Sequence, residues 1–251
     1  MTSTDAFDAF TAPLFADESI AELAASVGWD EQSLGERLAL SVGEAAQTLR
    51  LIDGIDVESR GRLLEVGAGL GVAASFLASR GIDVVALEPS GSGFEEHALL
   101  AGAVRDLLGS DHEVIDVGAE SLNHGEHGVF DVIYSNNVLE HIAELDGAFE
   151  AMAAVLTNDG VMVHSCPNYS VPFEPHFGIP LIPGRPQSTR HLVPSSISDS
   201  DVWASLNFVR ARDVERLVVR HGLTVAFREA AVADGLGDWL GCRVDEVQRS
   251  S

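Results

Sequence analysis

The segment Leu63-Leu64-Glu65-Val66-Gly67-Ala68-Gly69-Leu70-Gly71 constrains the fold more than any other part of the chain. A short run of buried-strand type passes directly into alternating glycines, and a helical stretch follows to about Arg80. Glycine lets the backbone turn tightly and lets a ligand approach without a Cβ in the way. Amides at the start of the following helix can meet polar or anionic ligand groups. Strand, glycine turn and helix in that order open a β-α-β unit, whose ligands sit at the carboxyl ends of the strands.

The alternation continues. Strands are expected at Ile82 to Leu87, Glu113 to Val117, Phe130 to Ser135 and Gly160 to Ser165, with helices at Phe94 to Leu108 and Ala143 to Leu156. This predicts an α/β fold: a Rossmann-like, doubly wound, mainly parallel sheet. Ahead of it, Ile20, Leu23, Ala24 and Val27, then Leu34, Leu38, Val42, Ala45, Leu49 and Ile52, recur at helical spacing. They read as a helical N-terminal cap over residues 1–60, before a core at 61–165.

Residues 166–206 break the pattern. Pro167, Pro172, Pro175, Pro180, Pro183, Pro186 and Pro194 oppose regular structure there. A long segment of this kind within a domain is usually functional or disordered. Its aromatics and histidines (Tyr169, Phe173, His176, Phe177) favour an ordered Pro-rich lid. Residues 207–251 complete the same domain with a helix from Asn207 to His221, a strand from Leu223 to Glu229 and a tail. In the tail, Leu236, Trp239, Leu240, Val244 and Val247 scatter like a helix, which leaves open whether a C-terminal strand pair is complete. An unpaired edge would invite a homodimer or a partner subunit.

Charge narrows the function. The chain has 15 basic and 39 acidic residues, a net charge of −24, and every basic residue is arginine. Such a surface repels phosphate backbones and anionic lipids, so neither nucleic acid nor membrane is expected as partner. Cys166 and Cys242 are too few for a disulfide framework or a four-cysteine zinc site. Met1 to Asp5 carries no basic region before an apolar run, and no uncharged apolar run reaches membrane-spanning length. The expected compartment is the cytoplasm.

A dinucleotide fold wants Gly-x-Gly-x-x-Gly, but the sixth position is Val72. That leaves an NAD-dependent oxidoreductase as the weaker reading. The chain more closely resembles a class I S-adenosylmethionine (SAM)-dependent methyltransferase. Glu65 to Gly71 resembles that family's first motif. Val84-Val85-Ala86-Leu87-Glu88-Pro89-Ser90 resembles its second strand with the ribose-binding acid. Gly118-Ala119-Glu120-Ser121-Leu122 resembles its adenine loop. Phe130 to His141 resembles its fourth-strand motif, and Val155 to Val163 the helix, turn and strand that follow. The resemblance implies SAM as cofactor, held by Glu65, Gly67, Ala68, Gly69, Gly71, Glu88, Pro89, Ala119, Glu120 and Ser135. Glu65 has an alternative role as an acceptor that orients the loop. A non-catalytic SAM-binding subunit is the rival of a different class.

The acceptor is less legible. Ser135-Asn136-Asn137-Val138 stands where amino-methylating relatives carry Asn/Asp-Pro-Pro-Tyr, which disfavours that chemistry. Leu139-Glu140-His141 resembles the quinone-biosynthesis O-methyltransferases. Those place a further glutamate three residues before Glu140, and the resemblance there implies a metal-assisted site. Here the position is Asn137, so no metal is expected. The expectation is methylation of a small-molecule acceptor at oxygen. His141 is the first candidate for general base, because imidazole titrates near neutrality. Tyr169 and His176 are the other catalytic candidates, with Glu174 beside them in the lid. Cys166 reads as a buried apolar residue, and His124-x-x-His127 as a solvated turn.

Overall fold

The computed structural model describes residues 4–90, 95–227 and 241–249. The chain forms two compact units: Met1–Gly118 with Val129–Tyr134, and Ala119–Gly128 with Ser135–Ser251.

The first unit begins with helices α1 (Thr4–Thr11), α2 (Asp17–Val27) and α3 (Glu31–Ile52). Gly28, at φ 72°, ends α2 in the left-handed conformation. Asp30 then caps α3 by accepting the Ser33 N–H at 2.9 Å. Leu23, Ala24, Val27, Leu34, Leu38, Ala45 and Leu49 of the sequence stripe are all buried. Phe7 and Phe10 meet the ring of Phe76 edge-on, at 5.2 and 5.4 Å between centroids. Phe76 belongs to α4 (Val72–Ser79), the helix that follows the glycine turn, so the N-terminal helices brace that turn.

Strands β1 (Leu63–Val66), β2 (Val84–Leu87) and β3 (Glu113–Ile115) alternate with α4 and α5 (Glu95–Leu107). All residues of β1 and β2 are buried, as parallel strands covered on both faces require. β1 pairs in parallel with β2 (Leu64 opposite Val85) and with β4 (Phe130–Asn136; Leu64 opposite Ile133). β2 pairs in parallel with β3, giving the order β3-β2-β1-β4. Arg62 secures the start of β1. Its N–H donates to Asp131 at 3.1 Å, its guanidinium lies 5.0 Å from the Phe130 ring centre, and it pairs with Glu113. The last residues of β4, Ser135 and Asn136, count with the second unit.

The second unit holds a 3-10 turn at Ala119–Ser121, helices α6 (His124–His127) and α7 (Leu145–Val155), and strand β5 (Leu156–Pro167). β5 is longer at both ends than the sequence pattern suggests. The proline-rich segment is ordered and contains regular structure after all. β6 (Phe173–Glu174) and β7 (Ile179–Pro180) form a small antiparallel hairpin, followed by a 3-10 turn at Pro186–His191. Pro180, opposite Phe173 at the end of β7, sits where no ladder donor is needed. Two short helices, α8 (Ser195–Ser198) and α9 (Asp201–Ser205), lead to α10 (Ala211–Arg220). Tyr169, Leu181, Trp203, Leu206 and Phe208 bury one another as a separate apolar cluster under this segment.

The C-terminal strand pair, left open by the tail's scattered apolar residues, is present. β8 (Leu223–Phe227) and β9 (Gly241–Arg249) are antiparallel. β9 also pairs with β5, Cys166 opposite Cys242, so it lies between β5 and β8. The edge on which a dimer or partner subunit was argued is therefore filled by the chain itself. Leu236, Trp239 and Leu240 lie outside the described residues.

Candidate functional site

The first unit presents the glycine turn. Gly67, Gly69 and Gly71 have φ of 70°, 57° and 70°, a region that residues with a Cβ avoid. The Gly67 and Ala68 N–H groups both donate to Leu87 O, at 2.8 and 3.2 Å, tying the turn to the end of β2. Around Gly69 the space for a side chain is open, whereas a Cβ on Gly71 would lie 3.4 Å from His112 Nε2. Val72, the residue that spoils a dinucleotide fingerprint, is buried as the first residue of α4.

Two carboxyl groups flank the turn. Burial pushes the Glu65 carboxyl up to about 8, against the opposing hydrogen bond from the Ala74 backbone. The carboxyl thus holds its proton more tightly than an ordinary glutamate, and its backbone partner Ala74 lies in the first turn of α4. Glu88 follows β2 and accepts the Gly69 N–H at 2.9 Å. Burial raises its carboxyl, while the Gly69 N–H and the Arg37 charge work to lower it. Arg37, on α3, lies 2.9 Å from His97 Nε2 through one guanidinium nitrogen. Sequence reading missed Arg37, whose helix reads only as an amphipathic stripe. Pro89 is exposed just after Glu88.

The remaining expected cofactor residues belong to the second unit. Ala119 is buried and Glu120 exposed on the 3-10 turn, where Glu120 packs beside Gly147. The Ser135 side chain is fully buried and engaged with His164 Nδ1 at 2.7 Å. Burial holds His164 down to about 4, so it is neutral.

The second unit also gathers the acid–base candidates into one cluster. Tyr169 OH donates to Glu174 Oε2 at 2.6 Å. Glu174 Oε1 accepts from the His176 N–H at 2.7 Å and lies 2.6 Å from His176 Nδ1. The His176 and His141 rings meet edge to face at 5.2 Å. His141 Nδ1 lies 2.7 Å from Ser205 Oγ. Both Nε2 atoms point at Glu140, whose Oε1 is 3.8 Å from His176 and 3.9 Å from His141. Glu140 itself is fully buried. Burial alone would raise Glu174, but the hydrogen bonds from His176 and Tyr169 hold it below the usual carboxylate range. Burial, then the neighbouring His176, pushes His141 down to about 4. Burial and then Glu174 raise the Tyr169 hydroxyl, which stays a donor.

The Leu139–His141 turn that carries Glu140 is clamped from below by Asn207. Its Nδ2 donates to Leu139 O at 2.6 Å and Ile142 O at 2.9 Å, and its N–H donates to Glu140 O at 2.8 Å. Its Oδ1 accepts the Val209 N–H at 2.9 Å. This clamp, with Phe208 at φ 54°, delays α10 to Ala211, four residues later than the sequence pattern suggests. Asn207 is therefore a site residue that helical periodicity concealed, and Ser205, in contact with His141, is one that the proline-rich segment gave no sign of.

The ligand set implied by the quinone-type resemblance does not fit. Asn137 adopts φ 55° and donates its N–H to Ser165 O at 2.8 Å, and it supplies no carboxylate. His124 and His127 sit on a turn capped by Asn123, which accepts the Glu126 N–H at 3.0 Å. Cys166 is buried, as expected.

A family model described as a methyltransferase domain matches residues 42–226, more than half of the chain. An uncharacterized protein of Mycobacterium tuberculosis is 33% identical over 175 residues, covering 67% of this chain and 59% of that protein. The chain thus spans about six-tenths of that relative's length. A ubiquinone biosynthesis O-methyltransferase of Azorhizobium caulinodans is 31% identical over 134 residues, 51% of this chain and 47% of that enzyme. Among solved structures, Streptomyces venezuelae DesVI superposes with a TM-score of 0.57 at 15% identity, over 88% of this chain and 99% of that one. Magnesium protoporphyrin IX methyltransferase from Synechocystis, solved with bound SAH, gives 0.55 at 14% identity, over 85% of each. The chain belongs to the methyltransferase-domain family and has the fold of its class I, SAM-dependent members.

Proposed function

We propose that the protein transfers a methyl group from SAM to an oxygen of a small-molecule acceptor. The open turn at Gly69 and the Glu88 carboxylate support SAM as the donor, with Glu88 taking the ribose hydroxyls. Ala119, Glu120 and Ser135 of the second unit are proposed as further SAM contacts, on the resemblance alone. Two structural neighbours, magnesium protoporphyrin IX methyltransferase and the glycopeptide N-methyltransferase MtfA, were solved with SAH and SAM bound, respectively.

The observation that carries the oxygen acceptor is the Tyr169–Glu174–His176 chain of hydrogen bonds. A carboxylate on Nδ1 fixes the imidazole tautomer and orients Nε2 to receive a proton. His176 is the base in this reading, and His141 is its edge-to-face neighbour. As the acceptor oxygen attacks the sulfonium methyl carbon, the carbon–sulfur bond breaks and its electron pair leaves on sulfur. The acceptor proton passes to His176 Nε2. The sulfonium is already an activated leaving group, so alignment of oxygen, carbon and sulfur is the protein's main contribution. The acidic surface suits a neutral or cationic acceptor and is compatible with cationic SAM.

Turnover of SAM to S-adenosylhomocysteine with a panel of hydroxylated small molecules tests this reading. Methylation of nitrogen acceptors only would overturn the oxygen assignment. SAM binding without turnover on any acceptor would favour a non-catalytic subunit. Two features favour that rival, a tail that reads as shortened in sequence and an uncertain base; β9 answers the first, and the turnover assay decides the second.

A further inference from the structure

The cluster around Glu140 has a property that proton transfer to one histidine does not use. Ser205 Oγ gives its own hydrogen to Val202 O at 2.8 Å. Its 2.7 Å contact with His141 is therefore one in which His141 Nδ1–H donates. With Nδ1 as the donor, the lone pair of the imidazole sits on Nε2, the nitrogen that faces Glu140 Oε1 at 3.9 Å. Glu174 Oε1 fixes the same tautomer on His176, leaving Nε2 as the inward nitrogen there too. Two imidazole nitrogens and a buried carboxylate oxygen thus converge, all within 4.8 Å of one another. Each inward atom is a donor of electrons, an arrangement that a cation between them would stabilise.

We propose that Glu140, His141 and His176 hold a divalent transition-metal ion. His176, delivered by the β6–β7 hairpin, supplies the third ligand that Asn137 does not. The distances support this. Ligands about 2.0–2.2 Å from a tetrahedral ion stand about 3.4 Å apart, so the 3.8 and 3.9 Å separations from Glu140 need a small contraction, and the two imidazole nitrogens, within 4.8 Å of each other, close by a rotation of the rings. The surroundings support it independently. Ligating histidines characteristically donate their other N–H to a carboxylate or similar acceptor, which orients the ring and raises its basicity. Here Glu174 and Ser205 do so for the two rings. Two imidazoles and one carboxylate suit zinc, cobalt or iron(II) better than magnesium or calcium. Three protein ligands leave a coordination position open. The inference rests on the proposed methyl transfer and changes one role in it: with an ion held, His176 Nε2 is a ligand rather than the base, and an acceptor hydroxyl bound at the open position would ionise more readily, its proton leaving to solvent.

The test uses the full chain stripped with a chelator. Cobalt(II) is titrated by visible absorption and zinc(II) by calorimetry, and imidazole resonances are followed by NMR. One ion per chain is expected, moving the His141 and His176 signals and leaving the other histidines in place. His176→Ala and His141→Ala should weaken binding by about 100-fold or more, and Glu174→Gln by about 10- to 100-fold. Failure of the stripped protein to take up either metal overturns the proposal. So does wild-type affinity in a folded His176→Ala protein, or a response at other histidines. SAM titration of the same stripped protein keeps the two readings apart. Loss of SAM binding counts against methyl transfer alone, and loss of metal binding against this site alone.

Discussion

His176 and Glu174 are joined twice: the same carboxylate oxygen accepts the backbone N–H and meets ring nitrogen Nδ1, at 2.7 and 2.6 Å. A histidine on a two-residue hairpin would otherwise rotate freely. The doubled contact fixes both the ring's orientation and its tautomer. His176→Ala should lower kcat by about 10²- to 10⁴-fold, the usual worth of a positioned base. Glu174→Gln should lower kcat by about tenfold or more, with KM for SAM unchanged. Steady-state kinetics on both variants checks this; a Glu174→Gln enzyme with full kcat would deny Glu174 an orienting role.

Glu88 and Gly71 should separate affinity from folding. Hydrogen bonds to a charged group contribute about 1.5–3 kcal/mol, so Glu88→Ala should weaken SAM binding by about 10- to 100-fold. Gly71→Ala should instead destabilise the fold by about 1–2 kcal/mol, because φ is 70° and His112 is close. Calorimetry with SAM and urea unfolding, run on both variants, distinguish the two effects.

The pH dependence of stability has a definite shape in the metal-free protein. His112, His141 and His164 are each pushed down to about 4, mainly by burial. Between about 6.5 and 4 the unfolded chain binds these protons and the folded chain does not, so stability falls as pH drops through that window. Glu65 works the other way. Its folded carboxyl, at about 8, keeps a proton that the unfolded chain releases above about 4.5, so its contribution is lost as pH rises toward 8. Three imidazoles outweigh one carboxyl on the acid side. Stability should rise from pH 4 to about 6.5 and then decline gently. Urea midpoints across that range would expose an error as a flat or inverted profile.

Asn207 should matter more than its position in a connecting segment suggests. Asn207→Ala removes both side-chain bonds to the Leu139 and Ile142 carbonyls and the acceptor for Val209. A loss of about 1–3 kcal/mol is expected, with a larger effect on turnover than on SAM affinity, because the released turn carries Glu140 and His141. Equal loss in both functions would show that Asn207 supports the fold generally.

The legible parts of this molecule are those with local causes. β1 and β2 are short, wholly buried and met by glycine or proline within two residues, so composition alone marks them. The N-terminal stripes are helical periods uninterrupted by proline. β9 was obscured by register shifts in its pairing with both neighbours, between Met162 and His164 on β5 and between Ala226 and Phe227 on β8. A bulge breaks the period of two that identifies a strand. Tyr169, His141 and His176 were legible as chemistry-bearing residues, but their meeting was not. It depends on a hairpin register and on the Asn207 clamp, both of which join positions far apart in sequence. Glu140 read as structural as readily as functional, since a buried carboxylate declares itself only through the rings that face it.

The placement of β9 also bears on how the chain is made. β5 and β8 are synthesised before the strand that separates them. During translation both keep an open ladder of backbone donors and acceptors until residues 241–249 emerge. The second unit therefore completes late, and its assembly is a threading step between two waiting edges rather than the closing of a neighbouring hairpin. Non-local pairings of this kind form slowly and are prone to aggregation meanwhile. A surface as acidic as this one, repelling its own copies, is well suited to protecting a nascent chain through that interval.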